Sequence, residues 1–105
     1  MLKFSVSFDP GARDEFLVAV EHYEACQIGL GRRFRLALET QLGLICKMPF
    51  RFRVLHPPFR RCLIPKFPYS VVFAIEPEFI LVVAVAHARR KPGYWLERVE
   101  KPPED

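Results

Sequence analysis

The stretch AVAHARRKPGYW, residues 84–95, gathers side chains that could do chemistry: His87, Arg89, Arg90, Lys91 and Tyr94. The histidine titrates near neutrality and could serve as an acid or a base. The cations could surround a phosphate, and the tyrosine could donate a proton or stack on a nucleobase. RNA cleavage without a metal needs a base, an acid and cations of this kind. Arg60, Arg61 and Lys66 could add charge from a neighbouring strand.

The same residues also have structural interpretations. A histidine that closes an apolar strand, as His87 does, is more often structural than catalytic. The two arginines are as readily a solvated pair, or partners for acidic residues of another protein, as catalysts. Pro92-Gly93 most simply forms a turn. Tyr94 and Trp95 most simply fold back over an exposed edge of the sheet or over a helical hairpin, and for Trp95 this interpretation is favoured.

A strand and a helix are predicted at the start of the chain. Residues 3–8, KFSVSF, alternate polar and apolar side chains, which indicates a strand with one exposed face. Asp9-Pro10 predicts a helix start, because aspartate accepts a bond from a free N–H and proline has none to satisfy. The apolar face of this helix comprises Ala12, Phe16, Ala19, Tyr23 and Cys26. Its polar side comprises Asp14, Glu15, Glu21 and His22.

A second helix is predicted over about residues 32–48, after Gly29-Leu30-Gly31 ends the first. Its apolar stripe comprises Phe34, Ala37, Leu38, Leu42, Ile45 and Met48. Leu36 falls on the polar side, where it could contact a partner. Because the link is short, the two helices are expected to fold back on each other as an antiparallel hairpin.

The second half of the chain predicts strands. Residues 49–59 are rich in proline and indicate an ordered loop, and residues 60–64 a short strand. Residues 69–76 and 79–88 are the strongest strand signals, and the two residues between them predict a tight antiparallel hairpin. Both faces of these two strands are apolar. The helical hairpin can cover only one face, so the loop and tail of this chain, or another chain, must cover the other.

The element order β-α-α-β-β-β predicts an α+β fold with one four-stranded, mostly antiparallel sheet and the helices on one face. The length of 105 residues suits one domain, predicted over 1–98, followed by a polar tail over 99–105. A net charge of +4 suits an acidic partner, either a nucleic acid or an acidic protein segment.

The cysteines Cys26, Cys46 and Cys62 are too scattered for a disulfide framework or a zinc site. They are expected to be buried free thiols in a reducing cytosol. No signal-peptide pattern, membrane-span pattern or phosphate-binding glycine loop is present in the sequence. We therefore expect a cytoplasmic protein with no metal and no cofactor.

Four stretches in order resemble the RelE/ParE superfamily of bacterial type II toxin–antitoxin toxins. They are the opening strand ending at Phe8, HYEACQIGLGRRF (22–34), KFPYSVVFAIE (66–76) and ILVVAVAHARRKPGYW (80–95). Phe-Pro-Tyr opening a valine-rich strand, and His-x-Arg-Arg-x-Pro-x-x-Trp closing the next, look like the ParE side. The resemblance covers nearly the whole chain.

The resemblance implies a growth-inhibiting toxin that a cognate antitoxin neutralises. RelE-like members cut messenger RNA in the ribosome, whereas ParE-like members act on DNA gyrase. Tyr94, behind Pro-Gly and beside Trp95, fits the ParE pattern better, and the modest charge also favours a toxin that acts by binding gyrase. One alternative is a ribosome-dependent endoribonuclease that uses His87, Arg89, Arg90, Tyr94 and Arg61. Another is a degenerate member that binds its antitoxin without being toxic.

On the ParE-like interpretation, basic and aromatic residues near the end of the chain bind the target or the antitoxin. This predicted binding set comprises Arg60, Arg61, Lys66, Arg89, Arg90, Lys91, Tyr94, Trp95 and Leu36. The apolar strands and Leu36 further predict an apolar surface on which a disordered antitoxin segment folds. The sequence leaves the oligomeric state open.

Overall fold

A computed structural model describes residues 4–99 of the chain. Its helices and strands, in chain order, are β1 (Ser5–Phe8), α1 (Pro10–Cys26), α2 (Leu30–Lys47), β2 (Arg53–His56), β3 (Phe59–Leu63), β4 (Tyr69–Ile75), β5 (Phe79–His87) and α3 (Leu96–Val99). A single 3₁₀ turn, Pro49–Arg51, follows α2. The predicted tail, 99–105, lies outside the described residues apart from Val99. In the described range, no helix combines the length and the hydropathy needed to cross a membrane.

The strands form one sheet in the order β1-β5-β4-β3-β2. β1 runs parallel to β5, and the other neighbouring pairs are antiparallel. The predicted α+β class and element order are thus confirmed. The structure has one strand more than predicted, because β2 lies within the segment 49–59 that was predicted to be a loop. All four side chains of β2 are exposed, so this edge strand lacks the alternation of apolar and polar residues by which strands are recognised.

The turn between the helices follows from two glycines. Gly29 adopts a φ of 88°, which favours a residue without a side chain. A Cβ on Gly31 would lie 2.6 Å from the carbonyl oxygen of Val20, so only glycine lets α1 and α2 approach this closely. The carboxylate of Glu24 accepts bonds from the N–H groups of both glycines, at 2.9 and 3.0 Å. The predicted hairpin is therefore confirmed.

The main core lies between the helical hairpin and one face of the sheet. Phe34, Leu38 and Ile45 of α2 are buried there against strand residues. Two predicted members of the apolar faces lie elsewhere. Met48 caps the end of α2 and is 47% exposed. Cys26 closes α1 and is also exposed, whereas Cys46 and Cys62 are buried free thiols. Both errors fall at helix ends.

The opposite face of the sheet is covered by residues 94–99 of the same chain. Trp95 is 4% exposed and packs edge-on against Phe59, with ring centroids 5.0 Å apart. Val83 has no partner in the β4–β5 register, and it lies with its neighbour Ala84 on this same face. This bulge enlarges the apolar surface on which the tryptophan rests. The sequence analysis expected this face to be covered either by another part of this chain or by another chain. In the structure, residues of this chain cover it.

Candidate functional site

The sheet ends in an exposed cationic turn. After β5, the N–H of Ala88 donates to the carbonyl of Pro68 at 2.8 Å, and the N–H of Arg90 donates to the carbonyl of His87 at 3.0 Å. A second turn follows at Gly93, whose φ is 77°. These bonds fix the backbone to the end of the β4–β5 hairpin. The cationic tip, which we define as Arg89, Arg90 and Lys91, is exposed on this support.

The tip is tied to α1 by the carboxylate of Glu15. Tyr94 donates its hydroxyl to Oε2 at 2.6 Å, and Arg98 donates to Oε2 at 2.7 Å and to Oε1 at 3.2 Å. Arg90 lies 3.8 Å from the same Oε2, and its guanidinium sits 3.7 Å from the centre of the Tyr94 ring. One acidic side chain thus positions an arginine of the tip and the segment that covers the sheet.

Glu15 and Arg98 also complete the edge of β5. β1 pairs with β5 only as far as Phe8 and Val82. Beyond that point the N–H of Val85 donates to Glu15 at 2.9 Å, and Arg98 donates to the carbonyl of Val83 at 2.9 Å. The ion pair therefore takes the place that a longer β1 would fill, since buried backbone groups need partners.

The prediction that Glu15 faces solvent with Asp14 and Glu21 is wrong. Its side chain is 15% exposed. A signal was present in the sequence, because Glu15 lies three residues after Ala12 and four before Ala19, which are both buried. This spacing belongs to the inner face of the helix. The small alanines leave room for the carboxylate to reach β5.

The surroundings set the protonation states of this cluster. Burial tends to raise the pKa of Glu15, but the hydrogen bonds from Arg98, Tyr94 and Val85 outweigh it and lower the pKa. Burial, and then the hydrogen bond to Glu15, raise the pKa of Tyr94 far above its usual value. The tyrosine therefore stays protonated, and its hydroxyl donates to the carboxylate of Glu15. In this arrangement its hydroxyl is poorly placed to act as an acid or a base.

His87 is similarly engaged. Its Nδ1 accepts a hydrogen bond from the N–H of Arg89 at 3.0 Å. Its ring packs edge-on against Tyr69, with centroids 5.0 Å apart. These contacts fit a histidine that ends a strand and fixes the following turn.

A groove of about 440 Å³ lies beside the tip, on the face of the sheet against which Trp95 packs. Arg61, Ser70, His87, Arg90 and Lys91 line it, so the structure brings Arg61 to the tip as predicted. His56, which the sequence analysis did not single out, lines it too, because β2 is the strand that carries it there.

Tyr94 and Trp95 also line this groove, whereas the other predicted binding residues, Arg60, Lys66, Arg89 and Leu36, do not. Arg60 donates to the carbonyls of Phe50 and Phe52, at 3.2 and 2.7 Å, and so holds the 3₁₀ turn. Lys66 and Leu36 line a second groove, between α2 and the β3–β4 turn. Trp95 lines the groove from the apolar cluster in which it is buried. Among residues 4–99, no group of three or more His, Cys, Asp or Glu side chains could hold a metal ion.

The sequence matches a known protein family, and the fold is similar to a solved structure. Residues 6–92 match the family described as "ParE toxin of type II toxin-antitoxin system, parDE". The chain is also similar to the solved structure "Chromosomal ParDE TA system from P. aeruginosa", with a TM-score of 0.68 and 14% sequence identity. That similarity covers 81% of this chain and 96% of the other, and at such identity it shows the fold alone. No curated protein matches the sequence.

Proposed function

The chain belongs to the ParE toxin family of type II toxin–antitoxin systems, and on this premise we propose that it inhibits growth by binding DNA gyrase until a cognate antitoxin neutralises it. The family resemblance read from the four sequence stretches is confirmed. Gyrase, growth inhibition, neutralisation and a cytoplasmic location are the parts that we propose.

The observation that carries the proposal is a contrast in how the side chains are engaged: the cations of the tip are exposed, whereas His87 and Tyr94 beside them are held by hydrogen bonds. Arg89 and Lys91 are exposed, and among residues 4–99 neither side chain has a carboxylate within ion-pair distance. The side chains with acid–base character nearby, Tyr94 and His87, are held by Glu15 and by the backbone. Exposed cations on a rigid support suit recognition of an acidic surface more than they suit proton transfer.

The experiment is a supercoiling assay with purified gyrase and the antitoxin-free protein. We expect inhibition by the wild type, and a marked loss of it in Arg89→Glu and Lys91→Glu. Lys47→Glu, at the exposed end of α2, is the matched control and should inhibit like the wild type. Supercoiling that is untouched at high excess of wild-type protein would remove gyrase as the target.

One observation favours the alternative of a ribosome-dependent endoribonuclease. The groove beside the tip brings Arg61, His87 and Arg90 to one place, which is a plausible cradle for a phosphate. Against it, Tyr94 is a protonated donor to Glu15. Primer extension on messenger RNA after induction separates the two functions, because only a nuclease creates new 5′ ends within translated frames.

Neutralisation is tested by expressing the chain with and without the small open reading frame beside its gene. We expect growth arrest only without the neighbour. Normal growth in both cases would instead indicate a member that binds an antitoxin but is no longer toxic.

A further inference from the structure

The middle of the chain carries charge of a single sign. Residues 40–75 contain no aspartate or glutamate, so all twelve acidic residues lie before or after this segment. The segment runs from the second half of α2 to the end of β4 and includes the edge strand β2. Its cations are Lys47, Arg51, Arg53, Arg60, Arg61 and Lys66. One edge of the sheet is thus built from a segment with no negative charge of its own.

Four large apolar side chains lie together where α2 ends and β2 begins. We define the apolar edge as Leu44, Met48, Phe50 and Val54, whose exposed fractions are 40%, 47%, 70% and 42%. Leu44 and Met48 are one helical turn apart, and Met48 caps the 3₁₀ turn that carries Phe50. The guanidinium of Arg60 sits 5.4 Å from the centre of the Phe50 ring, and Arg60 is the partner of Val54 in the β2–β3 register. The four side chains therefore follow one another along the same edge.

The backbone presents Phe50 to solvent. Arg60 donates to the carbonyls of Phe50 and Phe52, at 3.2 and 2.7 Å. Pro49, just before the exposed ring, is buried. Phe52, just after it, packs edge-on against the buried Phe73, with ring centroids 5.9 Å apart. Because both sides of the 3₁₀ turn are anchored in this way, the ring of Phe50 is held outside the core.

Exposed cations flank the apolar edge. Lys47, Arg51 and Arg53 are exposed, and among residues 4–99 none of them has a carboxylate within ion-pair distance. Each of the three is the immediate neighbour in the sequence of a member of the apolar edge. Large apolar side chains set among lysines and arginines are typical of surfaces that lie on an anionic membrane.

The shape of this surface favours a lipid bilayer over a protein. A helix of a partner protein fills a groove, whereas no member of the apolar edge lines the groove beside the tip or the one beside α2. An added strand is disfavoured, because β2 has only four residues and begins with Arg53, and short charged edges resist pairing. A second copy of the chain is disfavoured too, since two cationic edges would face each other.

We propose that the protein binds the surface of an anionic lipid bilayer through the apolar edge, without crossing the bilayer. The side chains of Met48 and Phe50 enter the boundary between headgroups and acyl chains. The cations Lys47, Arg51 and Arg53 pair with lipid phosphates. Stable attachment to a membrane takes two such signals, one apolar and one electrostatic. The cationic tip is not part of this edge, so lipid binding is separate from the proposed inhibition of gyrase.

The first test is cosedimentation of the purified full-length chain with vesicles. The probe vesicles contain phosphatidylglycerol and phosphatidylcholine in equal parts, and the comparison vesicles contain phosphatidylcholine alone. We expect the wild type to bind only the anionic vesicles. Phe50→Ser should weaken this binding by about tenfold, and Arg51→Gln or Arg53→Gln by about fivefold each. The matched controls are Ile28→Ser, 92% exposed between α1 and α2, and Arg33→Gln, exposed on α2; both should bind like the wild type.

A fluorescence measurement tests insertion directly. Lipids that carry bromine in the acyl chain quench a tryptophan that reaches them. Phe50→Trp should be quenched in anionic vesicles, whereas Ile28→Trp should not. The native Trp95 is buried and supplies a common background in both variants. Rising salt should weaken the binding of the wild type more than that of Arg53→Gln, because the variant has lost a screened attraction.

Three results would overturn the proposal. Equal binding of the wild type and Phe50→Ser to anionic vesicles would leave only a general attraction of positive charge. A dimer in sedimentation velocity that Phe50→Ser dissociates, without vesicle binding, would assign the edge to a second copy. Loss of binding to gyrase or to the neighbouring gene's product in Phe50→Ser, again without vesicle binding, would assign it to a protein. If the chain binds vesicles as expected but leaves supercoiling untouched, this proposal stands and the proposed function fails.

Discussion

Replacing Glu15 with alanine should destabilise the fold by about 3 kcal/mol. An exposed ion pair contributes only about 0.2–1 kcal/mol, whereas breaking a buried one costs about 3–5 kcal/mol. The side chains of Arg98 and Glu15 are 23% and 15% exposed, which places this pair near the buried case. The substitution also leaves the N–H of Val85 and the hydroxyl of Tyr94 without their acceptor. We therefore take the lower end of the buried range.

Urea unfolding measures this loss. With an m-value of about 1.5 kcal/mol/M for a small domain, the midpoint should fall by about 2 M. Glu21→Ala, on the exposed side of α1, is the control and should change stability by no more than about 0.5 kcal/mol. If Glu15→Ala moves the midpoint no further than Glu21→Ala, the carboxylate does not hold the end of the chain and the reasoning fails.

The pH dependence gives a second measurement on the same residue. The folded pKa of Glu15 lies below its ordinary value of 4.5, so its stabilisation is fully present above that pH. It is lost as the pH falls from 4.5 through the lower folded pKa. Glu15→Gln should therefore be less stable than the wild type at neutral pH and approach it in acid. A stability difference that stays constant through this range would contradict the assignment.

Three further predictions concern other parts of the chain. The raised pKa of Tyr94 means that its contribution is complete below its ordinary value of 10 and lost as the pH rises above it, so Tyr94→Phe should show a shallower alkaline loss of stability in urea titrations. Gly31→Ala should lower the melting temperature at a cost of about 1–3 kcal/mol, because its Cβ would meet a backbone oxygen at 2.6 Å. Gly43→Ala has open space there and should stabilise α2 by about 0.5–1 kcal/mol. A thiol reagent should label Cys26 alone in the native protein and the buried thiols only after unfolding; rapid native labelling of a second thiol would refute this.

Periodicity in the sequence predicted most of the scaffold. The apolar stripe of α2 carries a strong signal because its burial repeats with the helical period. β4 and β5 carry one because they are continuous runs of β-branched and apolar residues, buried on both faces. β2 does not, since it is an exposed edge strand held by pairing with β3. β2 forms because it pairs with β3, and the pattern of residues within β2 gives no sign of that pairing.

The candidate site was predicted in its residue types but not in its connections. Arg61, His87 and Arg90 do line one groove. Glu15 escaped notice because an acid on an amphipathic helix is usually solvated, and its partners lie 70 to 83 residues further along the chain. Lys66 was grouped with the tip although it lies beside α2. Such long-range pairings come from the fold as a whole.

The parallel pairing of β1 with β5 has a consequence during protein synthesis. Ser5 is translated early, but its partner in the ladder, Phe79, follows 74 positions later (79 minus 5). At about 5–20 residues per second, the nascent chain waits roughly 4 to 15 seconds before β1 can join the sheet. The carboxylate on α1 waits longer still for the arginine of α3. The fold of each newly made molecule is therefore incomplete until Arg98 has been translated, an interval in which a companion protein already in the cell can meet it before it is fully formed.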